Sequence, residues 1–142
     1  MEAFAPYSHA LASLALFALM TLVLGPVSAN VKAQAGVPSG AAPAADYGNV
    51  VYRLFRAHLN AVETLGPFAG VTVAAILAGA APFWVNLAAS VFLVARIVHL
   101  VVHLGGWGKA DMGLRSYVYV LGFLCCLMLG VLALIAAFGG AA

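Results

Sequence analysis

The chain has 142 residues, of which 65% are hydrophobic and 7% charged, and a net charge of +2. A soluble domain carries about a quarter of its residues as charged side chains, so composition excludes that class and indicates a single membrane domain over residues 1–142. The positive charge is small and dispersed, which excludes nucleic acid as a partner.

Four apolar runs follow one another, each near the 20 or so residues that cross a bilayer as a helix. The first covers residues 9–29, "HALASLALFALMTLVLGPVSA". Its flank carries Glu2 and no Lys or Arg, and the run is longer than the apolar core of a signal peptide. A retained spanning helix is therefore expected, although "VSA" before Asn30 resembles a cleavage site. Residues 30–48, "NVKAQAGVPSGAAPAADYG", lack apolar periodicity and read as a loop.

The second run, residues 49–81, begins with charge. Arg53, Arg56, Asn60 and Glu63 are spaced i, i+3, i+7, i+10, within about an 80° arc of a helix, and His58 points to nearly the opposite face. A carboxylate at the depth of Glu63 needs a cationic partner; Arg96 and Arg115 are the expected ones. Pro67 cannot donate to the Glu63 carbonyl, so a kink is expected there. The short, uncharged "AGAAP" makes the second and third helices antiparallel neighbours.

The third run, residues 82–104, starts with Pro82 in its first turn, where a missing N–H costs little. Arg96, His99 and His103 share one face at i, i+3, i+7. The glycine-rich "GGWGKADMG" carries Lys109 and Asp111. In the fourth run, residues 115–138, Arg115 and Tyr119 are spaced i, i+4, with Ser116 to one side; the same face continues to Gly122 and Cys126. Cys125 and Cys126 are neighbours about 100° apart on a helix, which argues against an internal disulfide.

Lys32, Arg53, Arg56, Lys109 and Arg115 lie in or beside the first and third connections. The positive-inside rule places those connections in the cytoplasm and both termini on the opposite side. The polar stripes of helices two, three and four then meet at the cytoplasmic end. Together they form a basic pocket suited to a polyanionic small molecule. Bland roles compete residue by residue. Arg53 also reads as an interfacial anchor, Asn60 as a helix–helix hydrogen bond, and His58 and Cys126 as packing residues. His103 also reads as an interfacial residue, Lys109 as a solvated charge, and Tyr52, Trp84, Trp107 and Tyr117 as an interfacial belt.

"RAHLNAVETLGPF", residues 56–68, resembles the signature of the MAPEG family, the membrane-associated proteins of eicosanoid and glutathione metabolism. The pattern Arg-Ala-His, one residue, Asn, two residues, Glu, then Pro-Phe is met by Arg56, Ala57, His58, Asn60, Glu63, Pro67 and Phe68. "RIVHLVVHLG" and "RSYVY" are similar to the third and fourth helices of the microsomal glutathione transferase and prostaglandin E synthase branch. The resemblance implies an all-α membrane protein, a homotrimer of four-helix bundles. It implies glutathione as co-substrate in a cytoplasm-facing pocket between subunits, bound by Arg56, Asn60, Glu63, Arg96, His99 and His103. Arg115, Tyr119 and Ser116 would activate its sulfur against a lipophilic electrophile or hydroperoxide drawn from membrane lipid.

Three positions depart from that branch. Leu59 stands where an arginine is frequent, His103 where a tyrosine touches glutathione, and Ser28 near where the first helix ends in an arginine. The loop before Arg115 is also longer. Fewer cations point away from the prostaglandin reaction and toward a bacterial-type transferase or peroxidase of the inner membrane. The rival reading is a catalytically silent subunit of the same fold that binds lipid or a protein partner. A haem protein is disfavoured because His58 faces away from His99 and His103, and a proton-coupled exporter because the arginines hold Glu63 ionised.

Overall fold

The computed structural model describes residues 2–107 and 113–139. A short 3-10 segment, Glu2–Tyr7, leads into α1 (Ser8–Gln34), followed by α2 (Val50–Leu77), α3 (Pro82–Gly105) and α4 (Leu114–Gly139). Each of the four helices is long and apolar enough to cross a membrane, and the described residues contain no strand. α2 and α3 pack on each other, and each also touches α1 and α4, which flank this central pair.

The bundle is keyed by one aromatic from each of three helices. Phe68 of α2 stacks on Phe92 of α3 with ring centroids 3.8 Å apart, and Phe17 of α1 meets Phe92 edge-on at 5.0 Å. Such pairs add about 0.5–1.5 kcal/mol beyond the area they bury. Around them the buried faces are lined with small residues, Ala61 and Ala75 on α2 and Ala88, Ala89 and Ala95 on α3. In lipid there is no hydrophobic drive between helices, so close backbone approach across small side chains is what holds them together. α4 joins through Gly122, Leu129 and Ala133.

The termini of the helices differ from the sequence expectation in two places. α1 continues past residue 29 to Gln34 because nothing in "NVKAQ" breaks a helix before Gly36, whose φ of 73° ends it. Lys32 is therefore helical; its Nζ donates to the Ala41 carbonyl at 2.8 Å and lies 5.1 Å from the Phe55 ring centroid. α2 stops at Leu77 rather than at residue 81. Gly79, at φ 72°, turns the chain, and the Ala80 N–H closes on the Ala75 carbonyl at 3.0 Å. Pro82 then opens α3 at its first turn as expected. α2 remains one helix through Pro67.

The two ends of the bundle are tied differently. At the α2–α3 connection, Tyr7 Oη donates to the Ala80 carbonyl at 2.6 Å. Asn86 accepts from the Ala10 N–H at 2.9 Å and donates to the Pro6 carbonyl at 2.7 Å, docking the N-terminal segment on α3. The other end carries the polar residues.

Candidate functional site

A turn before α2 sets the site. Asp46 Oδ1 accepts from the Gly48 N–H, and Asn49 caps α2 by accepting from the Val51 N–H, both at 2.8 Å. Arg53, one turn into α2, fastens that turn down. Its Nη1 donates to the Tyr47 and Gly48 carbonyls, each at 2.8 Å, and its Nε donates to the Leu104 carbonyl at 3.1 Å. Arg53 is thus a structural strap between the loop and the end of α3, beyond the interfacial anchor expected from sequence.

The strap leaves Tyr47 over a polar cavity of about 230 Å³. Arg56 and Asn60 line it from α2, His99 and His103 from α3, and Arg115, Ser116 and Tyr119 from α4. The three stripes read from sequence therefore do converge. Tyr47 belongs to none of those stripes. Its ring centroid lies 4.6 Å from the Arg115 guanidinium carbon and 5.9 Å from the His103 ring. A loop aromatic beside the Asn49 cap is the only sequence signal of it, because its position depends on the three carbonyl contacts of Arg53.

Glu63 and Arg96 line a second cavity instead, about 290 Å³, walled by Pro67, Val71, Phe92, Gly122, Phe123 and Leu127. Tyr119 borders both cavities. Arg96 is only 3% exposed. Its Nη2 donates to the Asn60 carbonyl at 3.1 Å, and its guanidinium lies 5.1 Å from the Tyr119 ring centroid. Gly122 makes the room: a Cβ there would come within 3.3 Å of Arg96 Cδ.

The expected ion pair between Glu63 and Arg96 is absent. Glu63 is exposed on the outer side of α2 and makes no ion pair among the described residues, while Arg96 lies inward between α2 and α4, where the Asn60 carbonyl is the nearer acceptor. Asn60 itself takes part through its backbone oxygen, which also accepts from Thr64 Oγ1 at 2.7 Å.

His99 and His103 stack with centroids 5.6 Å apart, and His99 lies 5.9 Å from the Tyr119 ring. His103 is buried, and neither of its ring nitrogens has a hydrogen-bond partner. Arg56 Nε and Arg96 Nη1 are likewise buried without partners. A buried donor left unsatisfied costs about 1–3 kcal/mol, so several around one polar end call for acceptors supplied from elsewhere.

The remaining sequence candidates fall outside this cluster. His58 faces α1, with Nε2 3.5 Å from where a Cβ on Gly25 would stand, which makes it a packing residue. Ser28 is buried on α1, and its Oγ has no partner. Cys125 and Cys126 are both free. Trp84, Trp107 and Tyr117 are exposed, as belt residues are. Lys109 and Asp111 lie outside the described residues.

The MAPEG family model matches residues 9–135. The prostaglandin E synthases of Macaca fascicularis and Homo sapiens are each 38% identical to the chain over 76 residues, 54% of this chain and 48% of theirs. The match spans about half the length of those curated relatives. With four membrane-capable helices and a family match over nearly its whole length, the chain belongs to the MAPEG family.

Proposed function

We propose that this protein is a membrane-bound, glutathione-dependent transferase or peroxidase, working as a homotrimer with its polar cavity open to the cytoplasm and both termini on the opposite side. The observation that carries the reading is the set of buried, unpartnered groups Arg56 Nε, Arg96 Nη1 and the two His103 ring nitrogens at one end of the bundle. Glutathione offers two carboxylates and two peptide carbonyls as acceptors for the arginine N–H groups and the one N–H of a neutral His103, and amide N–H groups for the other His103 nitrogen. The name of the two relatives, prostaglandin E synthase, fits a lipophilic second substrate.

In this reading Arg56, Asn60, His99 and His103 hold the peptide. Arg115 faces the sulfur. A thiol with a pKa near about 8.5 is mostly protonated at neutral pH, and an adjacent guanidinium favours the thiolate, which is the nucleophile. Tyr119 or Ser116 adds a hydrogen bond to the same sulfur. Tyr47 keeps the Arg115 guanidinium facing the cavity by covering its outer side.

The trimer rests on Glu63. A carboxylate in a spanning helix is costly against lipid, and Glu63 faces outward beside Gly66 and Gly70, where nothing stands within 4 Å of an added Cβ. A second copy approaching closely there shields the carboxylate and brings it a cation.

Arg115→Ala is expected to abolish conjugation of a model electrophile while the oligomer, measured by size-exclusion with light scattering in detergent, stays intact. Wild-type turnover from that variant would overturn the mechanism. One observation favours the rival, catalytically silent reading: α1 places the buried serine Ser28 near where the related branch carries an arginine, and its cation Lys32 is held by the Ala41 carbonyl. Complete indifference of the purified protein's melting temperature to glutathione would select it.

A further inference from the structure

The turn that carries Tyr47 keeps its own shape. Asp46 Oδ1 accepts from the Gly48 N–H at 2.8 Å, the Asn49 N–H donates to the Asp46 carbonyl at 3.1 Å, and Asn49 Oδ1 accepts from the Val51 N–H. These bonds are local, so the turn is able to move as a unit. Tyr47 is 39% exposed and also lines the polar cavity, so its ring stands between the cavity and solvent. There it covers Arg115 and meets His103.

The chain leading into the turn is lightly held. Residues 42–45 make no backbone hydrogen bond among the described residues, and Ala42, Ala44 and Ala45 are exposed. The fixed point behind them is Ala41, whose carbonyl accepts from Lys32 Nζ. Exposed backbone with few buried contacts opens at low cost. Arg53 opposes that opening with a single guanidinium. Nη1 spans the Tyr47 and Gly48 carbonyls while Nε takes the Leu104 carbonyl, which ties the turn to the end of α3. Gly106 leaves room for this fork, since a Cβ there would lie 3.2 Å from Arg53 Cζ. A lysine, with one point of donation, cannot hold three carbonyls on two elements.

We infer that residues 42–48 form a lid over the polar cavity and that Arg53 is its latch, a positioning residue that acts through Tyr47. Latched, the Tyr47 ring covers Arg115 and His103. Released, the segment swings between its fixed points at Ala41 and Asn49, and an anionic solute enters from solvent. Only the identity of that solute rests on the glutathione reading. Closure over bound glutathione excludes water from the guanidinium side of the thiol, and opening sets how fast the peptide exchanges.

Access to the cavity is tested without glutathione. Ser116→Cys in a Cys125→Ser, Cys126→Ser background puts one thiol on the cavity wall of the detergent-purified protein. Its modification by the anionic reagent 2-sulfonatoethyl methanethiosulfonate is followed by mass spectrometry. Arg53→Lys keeps the charge that attracts the reagent and loses the fork. The loss of one hydrogen bond shifts opening about two- to tenfold, and modification is expected to speed up by about that factor. Tyr47→Ala removes the cover itself and is expected to speed modification by about tenfold or more. The double variant is expected to match Tyr47→Ala alone, because a latch acting through Tyr47 then has nothing to hold. A merely structural Arg53 would instead add its own effect. An unchanged rate in either single variant, or effects that multiply in the double variant, overturns the inference even where glutathione binds. The expected rates in a protein whose Ser116→Cys thiol is not protected by glutathione leave the lid standing and remove the glutathione reading alone.

Discussion

Phe92 is 1% exposed, stacked on Phe68, edge-on to Phe17, and it also walls the apolar cavity. Truncating a side chain so placed removes contacts that nothing refills. Phe92→Ala is expected to destabilise the fold by about 3–5 kcal/mol, read as a lowered thermal midpoint in detergent.

Tyr47 tests a finer contact. A partly desolvated cation–π contact is worth about 0.5–1.4 kcal/mol, or about two- to tenfold in binding. Tyr47→Ala is expected to weaken glutathione binding by that factor, and Tyr47→Phe to restore it, since the ring and not the hydroxyl covers Arg115. Titration calorimetry on the three proteins separates these outcomes.

At this scale the sequence was informative about which polar residues meet and poor about how they pair. Helical spacing alone puts Arg56, Asn60, His99, His103, Arg115 and Tyr119 on facing stripes. It carries no information on whether Arg96 finds a side-chain carboxylate or a backbone carbonyl, because that depends on where α2 is rotated. It is also silent on Tyr47, which is held by Arg53 across a loop with no periodicity.

Helix positions were legible where a chemical stop coincides with the end of an apolar run. Pro82 at the start of α3 and Gly106, at φ 66°, at its end are of this kind. α1 is longer than its apolar run, because "NVKAQ" is polar but has no breaker. α2 is shorter than its apolar run, because alanines 78, 80 and 81 carry the run past Gly79, the residue that turns the chain. The docking of the N-terminal segment was not legible at all, since it depends on Asn86 reaching two backbone groups that only the tertiary fold brings near. Asn86→Ala breaks both bonds, worth about 1 kcal/mol each. Faster amide exchange over residues 3–10, with α3 and α4 unchanged, is the expected result.

For the whole molecule, the distribution of charge is what the proposed orientation rests on. The basic residues gather at the end of the bundle that holds the polar cavity, and the Tyr7–Ala80 and Asn86 ties mark the other end. Under the positive-inside rule, the proposed orientation has the first connection in the cytoplasm. Ser39→Cys, in that connection, is therefore expected to react with a membrane-impermeant maleimide in inverted vesicles and not in intact cells.

The central claim is that the buried donors of this end are held for glutathione and that Arg115 turns its thiol into a thiolate. Titrating glutathione into the detergent-purified protein while following ultraviolet thiolate absorbance tests it most directly. Saturable absorbance at neutral pH in the wild type, lost in Arg115→Ala, is the predicted result. No saturable binding, or the same thiolate signal from Arg115→Ala, would contradict it.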